Sequence, residues 1–409
     1  MWNASAIQQQ TMRILQVCLK PPYPTRDGGC MAIAAITEGL LAEGHDLKVL
    51  CMATEKHQFS EVNIPESILN ATKMEAVQMD VRVKPVAAFF NLFSSKSYHI
   101  TRFYSREFEE RLIEILKESS FDIIHLESIF CLPYLQAIRK NSKAKVIVRA
   151  HNIEHIIWQR LGEQELNSFK KAYLNLLSKR LKTYEISELK NVDGIVPISE
   201  EDKRGLIHLG VDVPMEVIPM GMSVSAIAHA PLSSGALQLY HVGSMDWQPN
   251  VEAVEYFIRD NWPAIHSNHP DVSCHFAGRN MAANMLSQHK PPLHIHGEIA
   301  SVADFADDKQ IMLVPVLSGG GMRIKIVEAM AMGKVVLSTT IGAEGIPYVA
   351  GEHLLIANSS NDFVQQLSWL KANPLEMQRI GDNARRLAEE RFDANAITSR
   401  LTYFYRTIC

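Results

Sequence analysis

The sequence has few cysteines, no long apolar run and almost no excess of charge. Its six cysteines, at positions 18, 30, 51, 131, 274 and 409, show no paired short spacing, which is typical of reduced thiols and excludes a disulfide framework or a zinc site. No apolar stretch reaches the ~20 residues that a membrane span needs. A formal net charge of -4 gives no general attraction to nucleic acid, so we expect no nucleic-acid partner.

Signals for export, for a metal ion and for a dinucleotide are also missing. Residues 1–11 are polar and lack the apolar core of a signal peptide, so a cytoplasmic protein is expected. No Asp-X-Asp follows a predicted strand, and no His, Asp or Glu residues cluster at metal-ligand spacing, which predicts that no metal ion is needed. The Gly28-Gly29 pair does not match the glycine fingerprint of NAD-binding folds.

The sequence does contain short β-rich runs that alternate with helical stretches, a pattern typical of parallel sheets covered by helices. A chain of 409 residues with 47% hydrophobic residues predicts two globular domains. Strands are predicted at 13–18, 46–52, 122–126, 145–149, 194–198 and 215–218, and again at 237–242, 272–277, 293–296, 311–316, 335–339 and 353–357. The small and polar residues 223–235 predict a linker between the two halves. Doubly wound halves bind ligands at the carboxyl ends of their strands, so a cleft between them is the expected site.

A glycine-rich segment near the C-terminal end carries the clearest binding signal. Gly319, Gly320 and Gly321 follow a predicted strand and precede a helix that carries Arg323 and Lys325 near its start. Helix N-termini carry about half a positive charge, so two cations are poorly placed there unless an anion accompanies them. Because glycines let backbone N–H groups approach such an anion, the segment predicts a site for a phosphorylated ligand. Two solvated surface cations are the alternative interpretation.

Several short blocks lie in a fixed order along the chain: 21–24 with Gly28 and Gly29, 39–45, 242–245, 276–279, 319–328, 333–339 and 342–345. Taken together, they resemble the nucleotide-sugar-dependent glycosyltransferases of the GT-B fold, and most closely the retaining family 4, also called glycosyl transferases group 1. The resemblance implies an α/β protein with two doubly wound Rossmann-like domains that face each other across a cleft. It places an acceptor domain at 12–222, a donor domain at 236–390, and a helix at 391–409 that returns to the acceptor domain.

The resemblance also implies an activity. The protein would transfer a sugar from a nucleotide diphosphate sugar, as co-substrate, to a carbohydrate or lipid-linked acceptor, with retention of configuration and with no cofactor or metal. Two alternatives stay open: a non-catalytic nucleotide-sugar-binding partner of a glycan assembly complex, and a sugar-nucleotide epimerase. A basic helix with an apolar stripe at 170–182 and the apolar run 86–93 suggest, as a hypothesis, peripheral contact with the inner face of a membrane, although such a pattern more often marks a core stripe with solvated lysines.

The donor site is assigned by position within the resemblance. Glu328 matches a family glutamate that holds the ribose hydroxyls, and a local pair with Lys325 is the alternative. The family's other glutamate falls at Gly320, so backbone N–H groups from Gly320 to Met322 would contact the sugar instead. Relatives carry two cations after the first strand of the second domain. This chain has none there, and Arg323 and Lys325 are the expected phosphate ligands in their place.

His151 directly follows a predicted strand and matches a family histidine near the transferred sugar. It is therefore expected to be catalytic together with Glu328, although a lone histidine is more often a structural residue. Glu154, three positions later, is a weaker candidate, and an acid that stabilises a helix start explains it equally well.

The remaining donor contacts are expected in loops at strand ends. Gly28 and Gly29 match a family loop that approaches the donor phosphates, and a tight turn would also select glycine. Gly243 begins the loop after the first strand of the second half, where the donor diphosphate is expected. Arg279 is expected to contact the nucleotide, with a surface salt bridge as the alternative, and Glu298 is a minor candidate near the base.

Overall fold

The structure is a computed structural model that describes residues 11–25, 27–84, 86, 90–91, 93–94, 96–165, 167–229, 232, 235–318 and 322–409. The predicted ligands Gly319, Gly320 and Gly321 lie outside the described residues. The chain forms two compact units. One comprises the residues up to Gly221 together with Ala394–Cys409, and the other comprises Met222–Asp393.

Six parallel strands form the sheet of the first unit. They are β1 (Arg13–Cys18), β2 (Asp46–Ala53), β3 (Glu75–Gln78), β4 (Ile123–Leu126), β5 (Lys145–Ala150) and β6 (Gly194–Pro197). Their order across the sheet is β3-β2-β1-β4-β5-β6. Every residue of β4 and β6 is buried, as expected for strands covered by helices on both faces.

The second unit repeats this arrangement. Its strands are β7 (Gln238–Val242), β8 (Ser273–Ala277), β9 (Leu293–Gly297), β10 (Ile311–Val314), β11 (Val335–Ser338) and β12 (Leu355–Ile356). Their order is β12-β11-β10-β7-β8-β9, the same order as in the first sheet when each is counted from its own first strand. Strand order therefore reverses between β1 and β4 in one sheet and between β7 and β10 in the other, which are the positions where such sheets bind ligands.

Helices connect the strands throughout the described chain. They are α1 (Gly28–Ala42), α2 (Glu66–Thr72), α3 (Tyr98–Thr101), α4 (Arg106–Glu118), α5 (Leu135–Asn141), α6 (Glu154–Gln164), α7 (Ser168–Leu189), α8 (Glu200–His208), α9 (Gln248–Tyr256), α10 (Trp262–Asn268), α11 (Ala283–Leu286), α12 (Val302–Ala306), α13 (Ile324–Ala331), α14 (Ser360–Ala372), α15 (Pro374–Phe392) and α16 (Ala394–Ile408). Among these described helices, none has the length and apolar character required to cross a membrane.

Two sequence expectations differ from the structure. The segment predicted as a strand at 215–218 lies beside β6, where Glu216 N and Ile218 N donate to the carbonyl oxygens of Ile195 and Pro197, but within the described chain it forms only a single bridge, between Ile195 and Met215. The edge strand β3 was not predicted, because its four residues are half-buried or exposed and form no apolar run. The predicted linker contains a short 3-10 turn, Val224–Ala226, whose first residue is fully buried.

The final helix α16 packs into the first unit. Leu401 and Tyr405 are fully buried there, and Thr402 Oγ1 lies 3.3 Å from His45 Nε2. A Cβ atom on Gly39 of α1 would lie 2.0 Å from Thr398 Oγ1, so the two helices approach closely only because position 39 is glycine. The last residues of the chain thus complete a core begun by the first strand.

Candidate active site

The switch point of the second sheet brings together most of the predicted donor ligands that the structure describes. Strand β7 ends at Val242 and is followed by Gly243, while β10 ends at Val314 and leads toward α13. Helices that follow these two strands lie on opposite faces of such a sheet, which leaves a crevice between their connecting loops.

Lys325, in the first turn of α13, reaches across to β7 and to α9, the helix that follows it. Its Nζ donates a 2.8 Å hydrogen bond to Asn250 Oδ1 and lies 3.4 Å from His241 Nε2. His241 Nδ1 lies 2.8 Å from the carbonyl oxygen of Leu313, so Nδ1 carries the ring proton and Nε2 holds the lone pair. The lysine amine is therefore held by two neutral acceptors at the carboxyl edge of the sheet.

The electrostatic setting of this amine is unusual for a lysine. Burial, reinforced by the nearby Arg323 cation, lowers the pKa of Lys325 to about 7, and Glu328 only partly opposes that change. Burial likewise holds the pKa of His241 well below its usual range, with Lys325 adding to the effect. An anion bound beside this amine would restore its full positive charge.

Two glycines are required for this close packing. A Cβ atom on Gly243 would lie 2.7 Å from Asn250 Nδ2 and 3.0 Å from Lys325 Nζ. A Cβ atom on Gly278, which follows β8, would lie only 1.8 Å from the carbonyl oxygen of Gly243. The loops after β7 and β8 thus touch backbone to backbone, and Gly243 is held within reach of the lysine amine.

Arg323 forms the N-cap position of α13 and is 5% exposed. Its guanidinium carbon lies 5.1 Å from the centre of the Trp247 ring, a cation–π distance. Burial lowers the pKa of Arg323, and Glu344 opposes that shift. The preceding Met322 packs close to Gly345, whose φ of +82° requires glycine. Neither Arg323 nor Lys325 matches the alternative interpretation as a solvated surface cation.

Glu328 lies one turn further along α13 and is half-buried. Burial raises the pKa of its carboxyl group, and the charge of Lys325 opposes the rise. Within the described ranges, its carboxylate has no hydrogen bond and no cation within 4.0 Å, so the predicted alternative of a local ion pair with Lys325 is not seen there.

Arg279 and Glu298 are not part of this group. Both side chains are exposed, and in the described part of the chain Arg279 forms no salt bridge. The backbone of Arg279 does contribute, because its carbonyl oxygen accepts a 2.9 Å hydrogen bond from Met245 N. The roles predicted for these two side chains thus remain predictions.

In the first unit, Gly28 and Gly29 form the start of α1, and Asp27 caps it by accepting a 2.9 Å hydrogen bond from Cys30 N. Lys20 Nζ lies 2.6 Å from Asp27 Oδ1, and a Cβ atom on Gly29 would lie 2.6 Å from the same amine. Lys20 was not predicted from the sequence. Its position two residues after the first strand, at the carboxyl edge of the sheet, could have indicated it.

The structure also gathers three groups that sequence spacing did not indicate. Ligand atoms of Asp27, Cys30 and His57 all lie within 4.8 Å of one another, a distance compatible with a metal ion. The carboxylate already pairs with Lys20, however, and burial raises the pKa of the Cys30 thiol and favours its protonated form. In this state the three groups form a hydrogen-bonded cluster around Asp27.

His151 follows β5 at the carboxyl edge of the first sheet, and its side chain is 24% exposed. Its Nε2 lies 3.2 Å from the carbonyl oxygen of Glu127, a fully buried residue that sequence reasoning missed. Burial lowers the pKa of His151, and Glu127 opposes the shift. A carboxylate directly after an apolar strand was the signal that could have identified Glu127.

Glu154 begins α6 and is half-buried. Burial and the neighbouring Glu185 raise the pKa of its carboxyl group to about 7. Glu185 Oε1 also accepts a 2.9 Å hydrogen bond from Glu154 N, so the buried Glu185, and not Glu154 itself, stabilises the start of this helix.

The two doubly wound units, each with a complete parallel sheet of the same strand order, define a protein of the GT-B fold. Residues 27–226 match the family described as Glycosyltransferase Family 4, and residues 236–373 match Glycosyl transferases group 1. The chain belongs to this family of glycosyltransferases. The resemblance and the fold predicted from the sequence are thereby confirmed.

Known proteins similar to this chain cover nearly all of it. An uncharacterized 44.6 kDa protein in the cps region of Klebsiella pneumoniae is 24% identical over 410 residues, which cover 95% of this chain and 98% of that protein. The structure of HepE from Anabaena in complex with UDP is similar to this chain with a TM-score of 0.66 at 12% identity. The superposed part covers 97% of this chain and 100% of the HepE chain. Sucrose-phosphate synthase from Thermosynechococcus elongatus has a TM-score of 0.68 at 14% identity, with coverage of 97% and 99%. At such identities the structural likeness establishes the fold.

Proposed function

We propose that the protein transfers a sugar from a nucleotide diphosphate sugar, whose diphosphate binds at the switch point between β7 and β10. The observation that carries this proposal is the amine of Lys325, which is buried among neutral acceptors at the start of α13. A diphosphate would supply the missing negative charge and would interact favourably with the N-terminus of the helix. The solved structures of HepE with UDP and with UDP-glucose support the same ligand class.

Glu328 is proposed to bind the ribose hydroxyls of the nucleotide. A half-buried carboxylate needs hydrogen-bond donors, and two adjacent hydroxyl groups would provide them. Charge on the departing diphosphate would be offset by the start of α13, Arg323 and Lys325, so we propose that no metal ion is needed. Retention of configuration, implied by the family, is also proposed, with the diphosphate stabilising the developing charge on the sugar.

Titration calorimetry with UDP-, GDP-, ADP- and dTDP-glucose tests the donor site. We expect one base to be preferred with micromolar affinity, and we expect the affinity to be the same with and without EDTA. Glu328→Gln should weaken that affinity about tenfold, because one charge-assisted hydrogen bond is lost. Folded protein that binds none of the four would contradict the proposal, and binding abolished by EDTA would contradict metal independence. Binding without any turnover would favour the non-catalytic alternative.

The acceptor is proposed to be a carbohydrate or a lipid-linked glycan bound to the first unit. A cavity of about 480 Å³ lies at the carboxyl ends of β2 and β3, with hydrogen-bonding groups suited to a carbohydrate. Its lining residues are Thr54, Glu55, Lys56, Gln78, Met79, Asp80, Val81 and Arg82. Around the start of α7, Phe169 is 90% exposed beside two exposed lysines, a combination that favours an anionic membrane surface.

Flotation with liposomes that contain anionic phospholipid tests the membrane contact. We expect the wild type to float at low salt, and Phe169→Ser with Lys171→Glu to lower the apparent affinity at least about tenfold. Leu375→Ser with Lys290→Glu changes an exposed apolar residue and an exposed lysine in the second unit, and should behave as the wild type does. Equal loss in both variants, or no flotation of the wild type, would contradict the proposal.

A further inference from the structure

A cluster of buried polar side chains lies at the carboxyl ends of β1, β4 and β5, with Glu127 at its centre. Glu127 Oε1 accepts a 2.7 Å hydrogen bond from Gln16 Nε2 and lies 3.3 Å from His125 Nε2. Glu127 Oε2 lies 3.5 Å from Arg149 Nη1 and 3.5 Å from His151 Nε2. Three neighbouring strands therefore direct polar groups at one carboxylate.

Stability does not account for this cluster. Glu127, Arg149 and His125 are fully buried, and apolar residues of similar volume usually stabilise a fold as well as a buried ion pair does. Of the side chains that surround the carboxylate, His151 is the one that is partly exposed, and it can therefore meet a ligand. A buried carboxylate thus lies directly beside a histidine that is itself partly exposed.

The hydrogen-bond partners define which nitrogen of His151 carries the proton. Nε2 faces the carbonyl oxygen and the carboxylate of Glu127, both of which only accept hydrogen bonds. Nε2 therefore carries the hydrogen, and Nδ1 holds the lone pair. Burial alone would raise the pKa of the Glu127 carboxyl group, but Arg149, His125 and His151 together bring it well below its usual range, so Glu127 is ionised.

The final helix contributes a tyrosine to this cluster. Tyr405 OH lies 2.6 Å from His125 Nδ1, and His125 Nε2 lies 3.3 Å from Glu127 Oε1. With the tyrosine hydroxyl donating to Nδ1, the proton of neutral His125 is on Nε2, which lies near the carboxylate but makes no hydrogen bond among the described residues. Arg149 Nη1 is held in turn by the carbonyl oxygen of Ala32 in α1, at 3.0 Å. The carboxylate thus accepts a hydrogen bond from Gln16 and lies within 3.5 Å of Arg149, a side chain that α1 holds in place.

We propose that Glu127 is a positioning residue for the transfer reaction: its carbonyl oxygen accepts the Nε2–H of His151, which presents Nδ1 as an acceptor for a hydroxyl group of the bound substrate, and its carboxylate lies 3.5 Å from the ring as a fixed negative charge. This inference rests on the proposed function, since it requires that His151 meets a substrate. Glu127 also stabilises the positive charge that His151 acquires when it accepts a proton.

Nitrogen NMR of the full chain with labelled histidine tests the proposal, with the His151 signals assigned by their loss in His151→Asn. We expect the Nε2–H tautomer in the wild type. In Glu127→Gln the titration of His151 should move down by about one pH unit, because Arg149 still repels the imidazolium while the carboxylate charge is gone. Donor turnover should fall at least about tenfold in kcat with little change in the donor KM. A folded Glu127→Gln protein with unchanged His151 titration would overturn the proposal.

Two further variants keep the test decisive if Glu127→Gln does not fold. Glu127→Gln with Arg149→Met removes both charges of the pair and should still lower the titration of His151, though by less than Glu127→Gln alone. Tyr405→Phe should lower kcat by a smaller factor, whereas Tyr134→Phe, a fully buried tyrosine whose hydroxyl donates to the carbonyl oxygen of Phe103, is the matched control and should leave His151 unchanged. Nucleotide-sugar binding is measured on the same samples. Absent binding refutes the proposed function, whereas normal binding and turnover in every variant refute the role of Glu127 alone.

Discussion

Lys325→Met is expected to weaken nucleotide diphosphate sugar binding by roughly 10- to 150-fold, or about 1.5–3 kcal/mol. The loss follows because the amine is the buried cation closest to Gly243, where the diphosphate is proposed to bind. Methionine retains most of the side-chain volume, so packing against Asn250 and His241 is preserved. Calorimetry of the wild type and the variant with the preferred donor measures the effect.

The variant should fold normally, which separates binding from stability. Burial lowers the pKa of Lys325 from the ordinary lysine value to about 7, so its ionisation opposes folding fully below about pH 7 and progressively less up to about pH 10.4, and removing the amine should not lower the melting temperature. Lys290→Met, at an exposed position of the same unit, is the matched control and should bind the donor as the wild type does. Equal donor affinity in Lys325→Met and the wild type would show that the amine does not bind the diphosphate.

The same amine gives donor binding a pH dependence with a definite sign. In the free protein the pKa of Lys325 is about 7, and a bound diphosphate favours the charged form, so the pKa rises on binding. Above pH 7 binding therefore takes up a proton, and affinity should fall by up to about tenfold per pH unit. The slope should disappear in Lys325→Met.

Gly278→Ala is expected to destabilise the second unit by about 3 kcal/mol or more and to abolish donor binding. The added Cβ atom would lie 1.8 Å from the carbonyl oxygen of Gly243 and 2.9 Å from its carbonyl carbon. Backbone atoms cannot rotate away as a flexible side chain can, so β7 and β8 must separate at their carboxyl ends. Scanning calorimetry of the full chain, read for the transition of the second unit, measures the loss.

Gly351→Ala provides the comparison for this substitution. Gly351 has a φ of +78° and no neighbouring atom within 4 Å of an added Cβ, so the cost there is backbone strain of about 1–2 kcal/mol without a clash. Gly278→Ala should be clearly more destabilising, and it alone should remove donor binding. Similar losses in both variants would show that contact between the two loops is not the cause.

The strands that could be predicted from the sequence are those that the fold buries completely. Every residue of β10 and of β11 is buried, so each forms a continuous apolar run between turn residues. The edge strand β3 has the sequence Glu-Ala-Val-Gln and lacks such a run. The segment 215–218 has a strand-like composition and is hydrogen-bonded to β6, yet only Met215 bridges to Ile195, because Pro197 at the end of β6 has no N–H to continue the ladder.

The residues of the candidate site that lie close together in sequence could be predicted. The contacts between residues on different strands and helices could not, because they depend on the order of the strands. Arg323 and Lys325 were predicted as phosphate ligands from their place at a helix start, and that role stays a prediction. The partners of Lys325, Asn250 and His241, come from other elements that only the order of β7 and β10 brings near. For the same reason, Glu127 became apparent only once β4 and β5 were known to be neighbours.

The position of α16 has a consequence for synthesis of the chain on the ribosome. The second unit is one continuous stretch, Met222–Asp393, whereas the first unit lacks part of its core until Leu401 and Tyr405 have been made. Domains usually fold in the order in which they are synthesised. Here the order is reversed, because the unit that is translated first must wait for the codons of α16, while the unit that is translated second can complete its folding before them.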